Sequence, residues 1–124
     1  MVKSYQNDLS KRLLLFSINT IKLLRKLPND LEFKIIKNQL IKSASSTGAN
    51  YEEAQGASSK ADFNYKAHIA LKEIRESNYR LDIISGINEN ESVSKEIEQL
   101  KNESDELKKI LGSICSKSGM SLKK

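Results

Sequence analysis

The sequence predicts an all-α protein, an antiparallel up-down-up-down four-helix bundle, and three observations carry that reading. Apolar residues recur at gaps of three and four in four separate stretches, the spacing of one helix face. No stretch alternates with the period of two that a half-buried strand requires. The only proline, Pro28, and the polar or glycine-bearing clusters at 56–60 and 86–92 fall between those stretches. Links this short force consecutive helices to lie side by side in opposite directions. At 124 residues the chain is expected to form one domain, 1–124, with a modest core.

Helix 1 is expected over about residues 7–27, capped by Asn7 or Asp8. Its apolar residues make two stripes. Leu9, Leu13, Phe16, Thr20, Leu23, Leu24 and Leu27 form the first, and Leu14, Ile18 and Ile21 the second. One helix–helix contact needs only the first. The surplus means either a wide core-facing stripe or a helix covered on two sides, which makes Leu14, Ile18 and Ile21 the candidate oligomer interface. Pro28 ends the helix, and Asn29 or Asp30 caps helix 2, expected over 30–55, with Glu32 in its first turn.

On helix 2 the residues Phe33, Ile36, Leu40, Ser43, Thr47, Asn50 and Ala54 share a face that starts greasy and ends small and polar. Gly48 sits mid-helix at a propensity cost of about 1 kcal/mol against Ala, which points to close approach by a neighbouring helix. Gly56 suits the C-terminus, and Ser58, Ser59 or Asp62 suits the cap of helix 3, expected over 61–85. Phe63, Ala67, Ala70, Ile74, Ser77, Leu81 and Ile84 then repeat at four and three, the seam of a left-handed bundle. Gly86 and Asn88 end it. Helix 4 is expected over 92–115 behind Ser92 or Ser94, with Val93, Ile97, Leu100, Ser104, Leu107, Leu111 and Ile114 as its seam. Residues 116–124 have little to bury and read as a flexible basic tail.

The run Lys42-Ser43-Ala44-Ser45-Ser46-Thr47-Gly48-Ala49-Asn50-Tyr51-Glu52-Glu53-Ala54 is the first of three motifs. Ser59-Lys60-Ala61-Asp62-Phe63 with Lys66 is the second, and Ile69-Ala70-Leu71-Lys72-Glu73-Ile74-Arg75-Glu76-Ser77 with Tyr79 and Leu81 the third. In this order they resemble the bacterial four helix bundle protein family, first noticed as reading frames in intervening sequences of 23S ribosomal RNA genes. The resemblance covers about residues 5–115, helix 4 by pattern only, and the chain has Arg80 where the family often has an aromatic. It implies a ring-like homo-oligomer, a pentamer. It also implies kinship with the accessory protein of diversity-generating retroelements, a pentamer that works with a reverse transcriptase and RNA.

Net charge is +5, unevenly spread. Residues 1–28 carry +5, residues 87–112 carry −3, and the tail from 113 carries +3. A basic first helix and an acidic fourth either attract each other or leave a basic face for a polyanion. For the second outcome the candidate nucleic-acid-binding residues are Lys11, Arg12, Lys22, Arg25, Lys26, Lys37 and Lys42, with RNA, DNA or a nucleic-acid-processing protein as partner. The longest apolar run, Leu13 to Phe16, is far too short to span a bilayer, so no membrane partner is expected. A lone Cys115 cannot form an internal disulfide, and the N-terminus lacks signal-peptide order, so the expected location is the cytoplasm.

Polar residues inside the seams are the remaining chemistry. Ser43, Thr47, Asn50, Glu53, Glu73 and Glu76 read as a structural polar network that sets helix register. The alternative is an enzyme using Glu53, Glu73 and Glu76, and a further alternative is an adaptor oligomer without nucleic-acid affinity. Di-iron bundles need Glu-x-x-His on two helices. His68 is the only histidine and Tyr65 stands three residues before it, so that motif is absent and no metal or other cofactor is expected. The glycines make no phosphate-loop spacing. Tyr5, Tyr51, Tyr65 and Tyr79, scattered among Lys and Arg, suit either bundle surfaces or base stacking. A non-enzymatic, self-assembling bundle that binds nucleic acid or its processing machinery is the reading these features favour.

Overall fold

The computed structural model describes the backbone of residues 2–118 and the side chains of residues 8–117. Four α-helices follow one another: α1 (Val2–Leu24), α2 (Leu31–Gln55), α3 (Lys60–Ile87) and α4 (Ser94–Ser118), the last preceded by a 3₁₀ turn at Glu91–Val93. Cross-helix bonds give the register of every neighbouring pair. Ser17 Oγ reaches Ala44 O at 3.1 Å and Lys37 Nζ reaches Leu27 O at 2.8 Å, so α1 and α2 run antiparallel. Ser43 meets Ser77 and Gln39 meets Arg80 between α2 and α3. Asn78 meets Ser104 and Asp82 meets Lys101 between α3 and α4. Arg12 meets Glu103 and Lys26 meets Glu96, closing the ring of helices from α4 back to α1. The bundle is up-down-up-down.

Several helix ends differ from expectation, each for a local reason. α1 begins at Val2, so positions 7 and 8 lie inside it and not at its start. No Pro or Gly interrupts residues 2–7, and extending a nucleated helix costs little. Its other end is Leu24, three residues short of the expected Leu27. There the N–H groups of Lys26 and Leu27 donate to Leu23 O and Leu24 O at 2.9 and 3.2 Å, a tightened turn forced by Pro28, which disfavours α geometry in the residue before it. Asp30 occupies the cap position of α2, but its side chain makes no cap bond. Ser59 caps α3 as expected, its Oγ accepting from Asp62 N at 3.0 Å, while the Asp62 carboxylate accepts from Ser58 N at 3.2 Å. α3 passes through Gly86 and stops at Ile87, where Asn88 turns extended. Asn90, not Ser92 or Ser94, caps the 3₁₀ turn, accepting from Ser92 N at 3.0 Å. Residues 116–118, expected in the tail, continue α4, and 119–124 lie outside the described residues.

The first stripe of α1 and the seams of α3 and α4 are buried as their spacing requires, with Phe63 and Ile114 at the margin of the core. The second stripe of α1 is not. Leu14 is 59% exposed and Ile18 37%, with Ile21 half-buried, so no wide core-facing stripe forms. Cys115 is buried, and that burial raises its thiol pKa.

Gly48 faces α1, and a Cβ placed there meets Leu13 Cβ at 3.5 Å, an ordinary contact. The approach is close enough to reject a large side chain and loose enough to admit one methyl. Gly48→Ala is therefore expected to raise unfolding free energy by about 0.5–1 kcal/mol through helix propensity. Gly48→Leu should lower it by about 1–3 kcal/mol through overpacking, and urea midpoints of the two variants should move in opposite directions.

Thr20 supplies a second test. It is completely buried in the first stripe of α1 and its Oγ1 has no hydrogen-bond partner. Thr20→Val keeps the shape and removes the unsatisfied hydroxyl, so thermal unfolding should shift upward by an amount matching about 1–2 kcal/mol.

Candidate functional site

The seven cations singled out on α1 and α2 divide into two groups by helix face. Arg12 turns to α4, where its Nε and Nη2 donate to Glu103 Oε2 and Oε1 at 2.9 and 2.8 Å. This bidentate bond raises the arginine pKa further above its ordinary value. Lys26 turns the same way and meets Glu96 Oε1 at 2.8 Å. Lys37 donates to Leu27 O and Asn29 Oδ1, both at 2.8 Å, tying down the exposed carbonyl end of α1, and burial lowers its ammonium pKa. These three serve the fold. Basic α1 and acidic α4 thus attract each other within one subunit.

Lys11, Lys22, Arg25 and Lys42 make no ion pair among the described residues and stand exposed, with Lys34 exposed beside them on α2. Positions 11, 14, 18, 22 and 25 are spaced three, four, four and three, so Leu14 and Ile18 lie between Lys11 and the Lys22/Arg25 pair on the outer stripe of α1. Ile41 borders them from α2, on the edge 37-41-44-48 that faces α1, and is exposed as well. The outward surface of the first two helices thus exposes apolar residues together with cations that have no ion pair among the described residues. Single exposed apolar residues are ordinary on a surface, but a contiguous set rimmed by polar groups marks a contact site.

The six residues read as one polar network separate into two parts. Between α2 and α3, Ser77 Oγ donates to Ser43 Oγ at 2.8 Å, and Ser43 in turn donates to Leu40 O at 3.3 Å. Thr47 Oγ1 donates to Ser43 O at 2.8 Å, and Asn50 Nδ2 to Ser46 O at 2.8 Å. Glu53 is not in this network. Its side chain is 67% exposed and faces Lys66 Nζ at 3.5 Å beside the α2–α3 link. Glu73 and Glu76 lie farther along α3, at least about 10 Å beyond Lys66 at 1.5 Å per residue. Glu76 pairs with Arg80 at 3.4 Å. Burial, and next the charge of Glu76, raise the Glu73 pKa.

The bond set that sequence reasoning missed joins α3 to α4. Asn78, nearly buried, donates from Nδ2 to Ser104 Oγ at 2.7 Å and Asp105 Oδ1 at 2.8 Å, and its Oδ1 accepts from Lys108 Nζ at 3.2 Å. Its signal was present, because Ile74, Asn78 and Leu81 keep the seam's gaps of four and three. His68 lies half-buried on the outer side of α3, its Nδ1 2.8 Å from Asn64 O. Tyr51 is buried, Tyr65 and Tyr79 are exposed, and the side chain of Tyr5 lies outside the described residues.

Two grooves flank α1. One of about 650 Å³ runs between α1 and α4 and contains the Arg12–Glu103 pair with Leu15, Asn19, Lys95 and Gln99. The other, about 1040 Å³, opens at the end of the bundle over Leu9, Phe63 and Ile110, with Lys11, Lys109 and Lys117 at its rim. Neither contains Glu53, Glu73 or Glu76. Among the described residues no three His, Cys, Asp or Glu gather as a metal site, and no helix is long and apolar enough to cross a membrane.

A family model described as 23S rRNA-intervening sequence protein matches residues 6–113. A crystal structure of a protein of unknown function from the S23 ribosomal protein family of Bacteroides thetaiotaomicron is 33% identical. That match covers 86% of this chain and 97% of the other, with a TM-score of 0.76. No curated protein matches the chain.

Glu73 gives a pH-dependent test of the α2–α3 face. A carboxyl whose folded pKa is raised favours the folded state fully below the unfolded pKa, and that contribution is lost as pH rises through the folded value. Neutral Gln lacks the penalty, so Glu73→Gln should raise the melting temperature at pH 7. The gain should vanish below about pH 4, where Glu is protonated in both states.

Proposed function

This chain belongs to the 23S rRNA-intervening sequence protein family, and we propose that it is a non-enzymatic, self-assembling bundle whose identical subunits together hold the phosphate backbone of RNA or DNA. The observation that carries this reading is the outward face of α1 and α2. There Lys11, Lys22, Arg25, Lys34 and Lys42, without an ion pair among the described residues, are exposed on the same two helices as Leu14, Ile18 and Ile41. The apolar residues serve assembly into a ring-like homo-oligomer, a pentamer by the resemblance, and the cations serve the polyanion.

Magnitudes favour an assembly over a single subunit. Each exposed cation contributes little in water and is screened beyond about 8 Å at physiological salt. A closed ring repeats the same patch on every subunit, so affinity rises through multivalency without any new contact. The separation of Glu53 from Glu73 and Glu76 supports a non-enzymatic role, since acid–base work needs its groups within reach of one substrate. A nucleic-acid-processing protein with an acidic surface would meet the same cations.

One experiment tests both halves. Labelled duplex DNA and structured RNA are titrated into the protein from low to physiological salt, while solution mass is measured on the same samples. Binding should be insensitive to sequence and fall steeply with salt. A Lys11→Ala/Lys22→Ala/Arg25→Ala variant should bind less and show a salt slope shallower by about 0.9 for each phosphate it no longer neutralises. Ile18→Lys should lower the mass and the affinity together. No binding at low salt, or binding that the triple variant leaves intact, rejects the polyanion role and leaves an adaptor. A native monomer at tens of micromolar rejects the assembly.

A further inference from the structure

α3 lies diagonally across the bundle from α1, and its outer face has a different composition. Tyr65 and Tyr79 are 65% and 66% exposed. Tyrosine rings usually bury their apolar body and keep only the hydroxyl wet, so two rings standing this far into solvent on one helix call for an explanation. They are fourteen residues apart with Lys72 midway, and a seven-residue step turns the helix by only about 20° from a full alignment. The three therefore form one stripe, with Lys72 about 10 Å along the axis from each ring. Arg75, exposed, stands one turn from Lys72 and toward α4, near enough to Cys115 to act on its thiol.

Nearby acids offset this charge only in part, Lys72 acting on the neighbouring Glu73 carboxyl. Glu76 is engaged by Arg80 at 3.4 Å and Asp82 by Lys101 at 2.9 Å, while Glu73 turns toward α2 and is half-buried. What remains outward is aromatic, cation, aromatic, with a second cation alongside. An apolar protein partner would not call for the cations, and a duplex, with its bases stacked inside, would offer nothing to the rings. Unstacked bases joined by phosphates satisfy both: every base has a π-face for a tyrosine, and the intervening backbone meets Lys72 and Arg75.

We propose that the Tyr65–Lys72–Tyr79 stripe of α3, with Arg75, is a stacking track for single-stranded nucleic acid. It rests on the polyanion reading of the protein but adds a second site, selective for unpaired strands, to the α1–α2 face that takes duplex and single strand alike.

The test compares full-length native protein with Tyr65→Ala/Tyr79→Ala, Tyr65→Phe/Tyr79→Phe and the Lys11→Ala/Lys22→Ala/Arg25→Ala variant. Oligo-uridine, oligo-deoxythymidine and a duplex of equal length serve as labelled probes, and solution mass is recorded throughout. The Ala pair should lose single-strand affinity about fivefold or more per ring removed, with duplex affinity and mass unchanged. The Phe pair, which keeps the π-faces, should bind as native does. The α1 triple variant should weaken duplex and single strand equally. Single-strand binding unchanged in the Ala pair overturns the track and leaves the α1–α2 reading standing, as does equal loss on duplex. A lower mass in the Ala pair overturns it too, because the rings then serve subunit contact. Native protein that binds no probe at low salt removes both readings together.

Discussion

The hydrogen bond between Ser43 and Ser77, 2.8 Å long in the dry interior, fixes the arrangement of the bundle. If α2 slips against α3, each hydroxyl falls back on a carbonyl of its own helix, Ser43 on Leu40 O at 3.3 Å and Ser77 on Glu73 O at 3.0 Å, so what is lost is the directional link between the helices, about 1 kcal/mol. Apolar contacts alone tolerate such slips because they lack direction. Small buried residues along both helices, Ser43 and Thr47 on α2 with Ala67, Ala70 and Ser77 on α3, suit a close approach of the two backbones. The other edge of α2 then receives α1, where Ser17 reaches Ala44 O at 3.1 Å and Leu13 lies against Gly48.

Once α1 is docked this way, the fate of each of its charges follows from helix geometry. Arg12 on α1 and Lys26 in the turn that follows it both face α4 and find carboxylates there. Lys11, Lys22 and Arg25 lie on the outer stripe and find none among the described residues. The same rotation leaves Leu14 and Ile18 uncovered. Charge neutralisation inside the fold and an exposed face with both basic and apolar residues are therefore two results of one helix orientation. The ion pairs themselves add little stability where they are exposed; their effect is to close the ring of helices in one sense.

A second polar link, Asn78 with Ser104, Asp105 and Lys108, holds α3 to α4 with every amide hydrogen and the carbonyl oxygen used. Each of the three well-packed seams thus has its own directional contact: Ser17–Ala44, Ser43–Ser77 and Asn78–Ser104. The α1–α4 seam relies on longer charged side chains and retains an open groove.

Helix count, antiparallel order and nearly all of the core were legible in the chain before folding, because burying one face of a helix imposes a period that any reader of apolar spacing recovers. The cations and the surplus stripe of α1 were legible too, since composition and spacing are local. Helix ends were less so: Asn7 and Asp8 look like caps, yet nothing in residues 2–7 stops the helix, and α1 ends at Leu24, four residues before Pro28. Partner choice was not legible at all. Whether Lys11 or Arg12 meets an acid depends on about 100° of rotation about the α1 axis, and that rotation is set by Leu13 against Gly48 and Ser17 against Ala44. Likewise Glu53, Glu73 and Glu76 share helix faces in the sequence, but the antiparallel register sets Glu53 beside Lys66, turns away from the other two. Contacts between residues distant in the chain are decided by packing, and they come into being only when the helices dock.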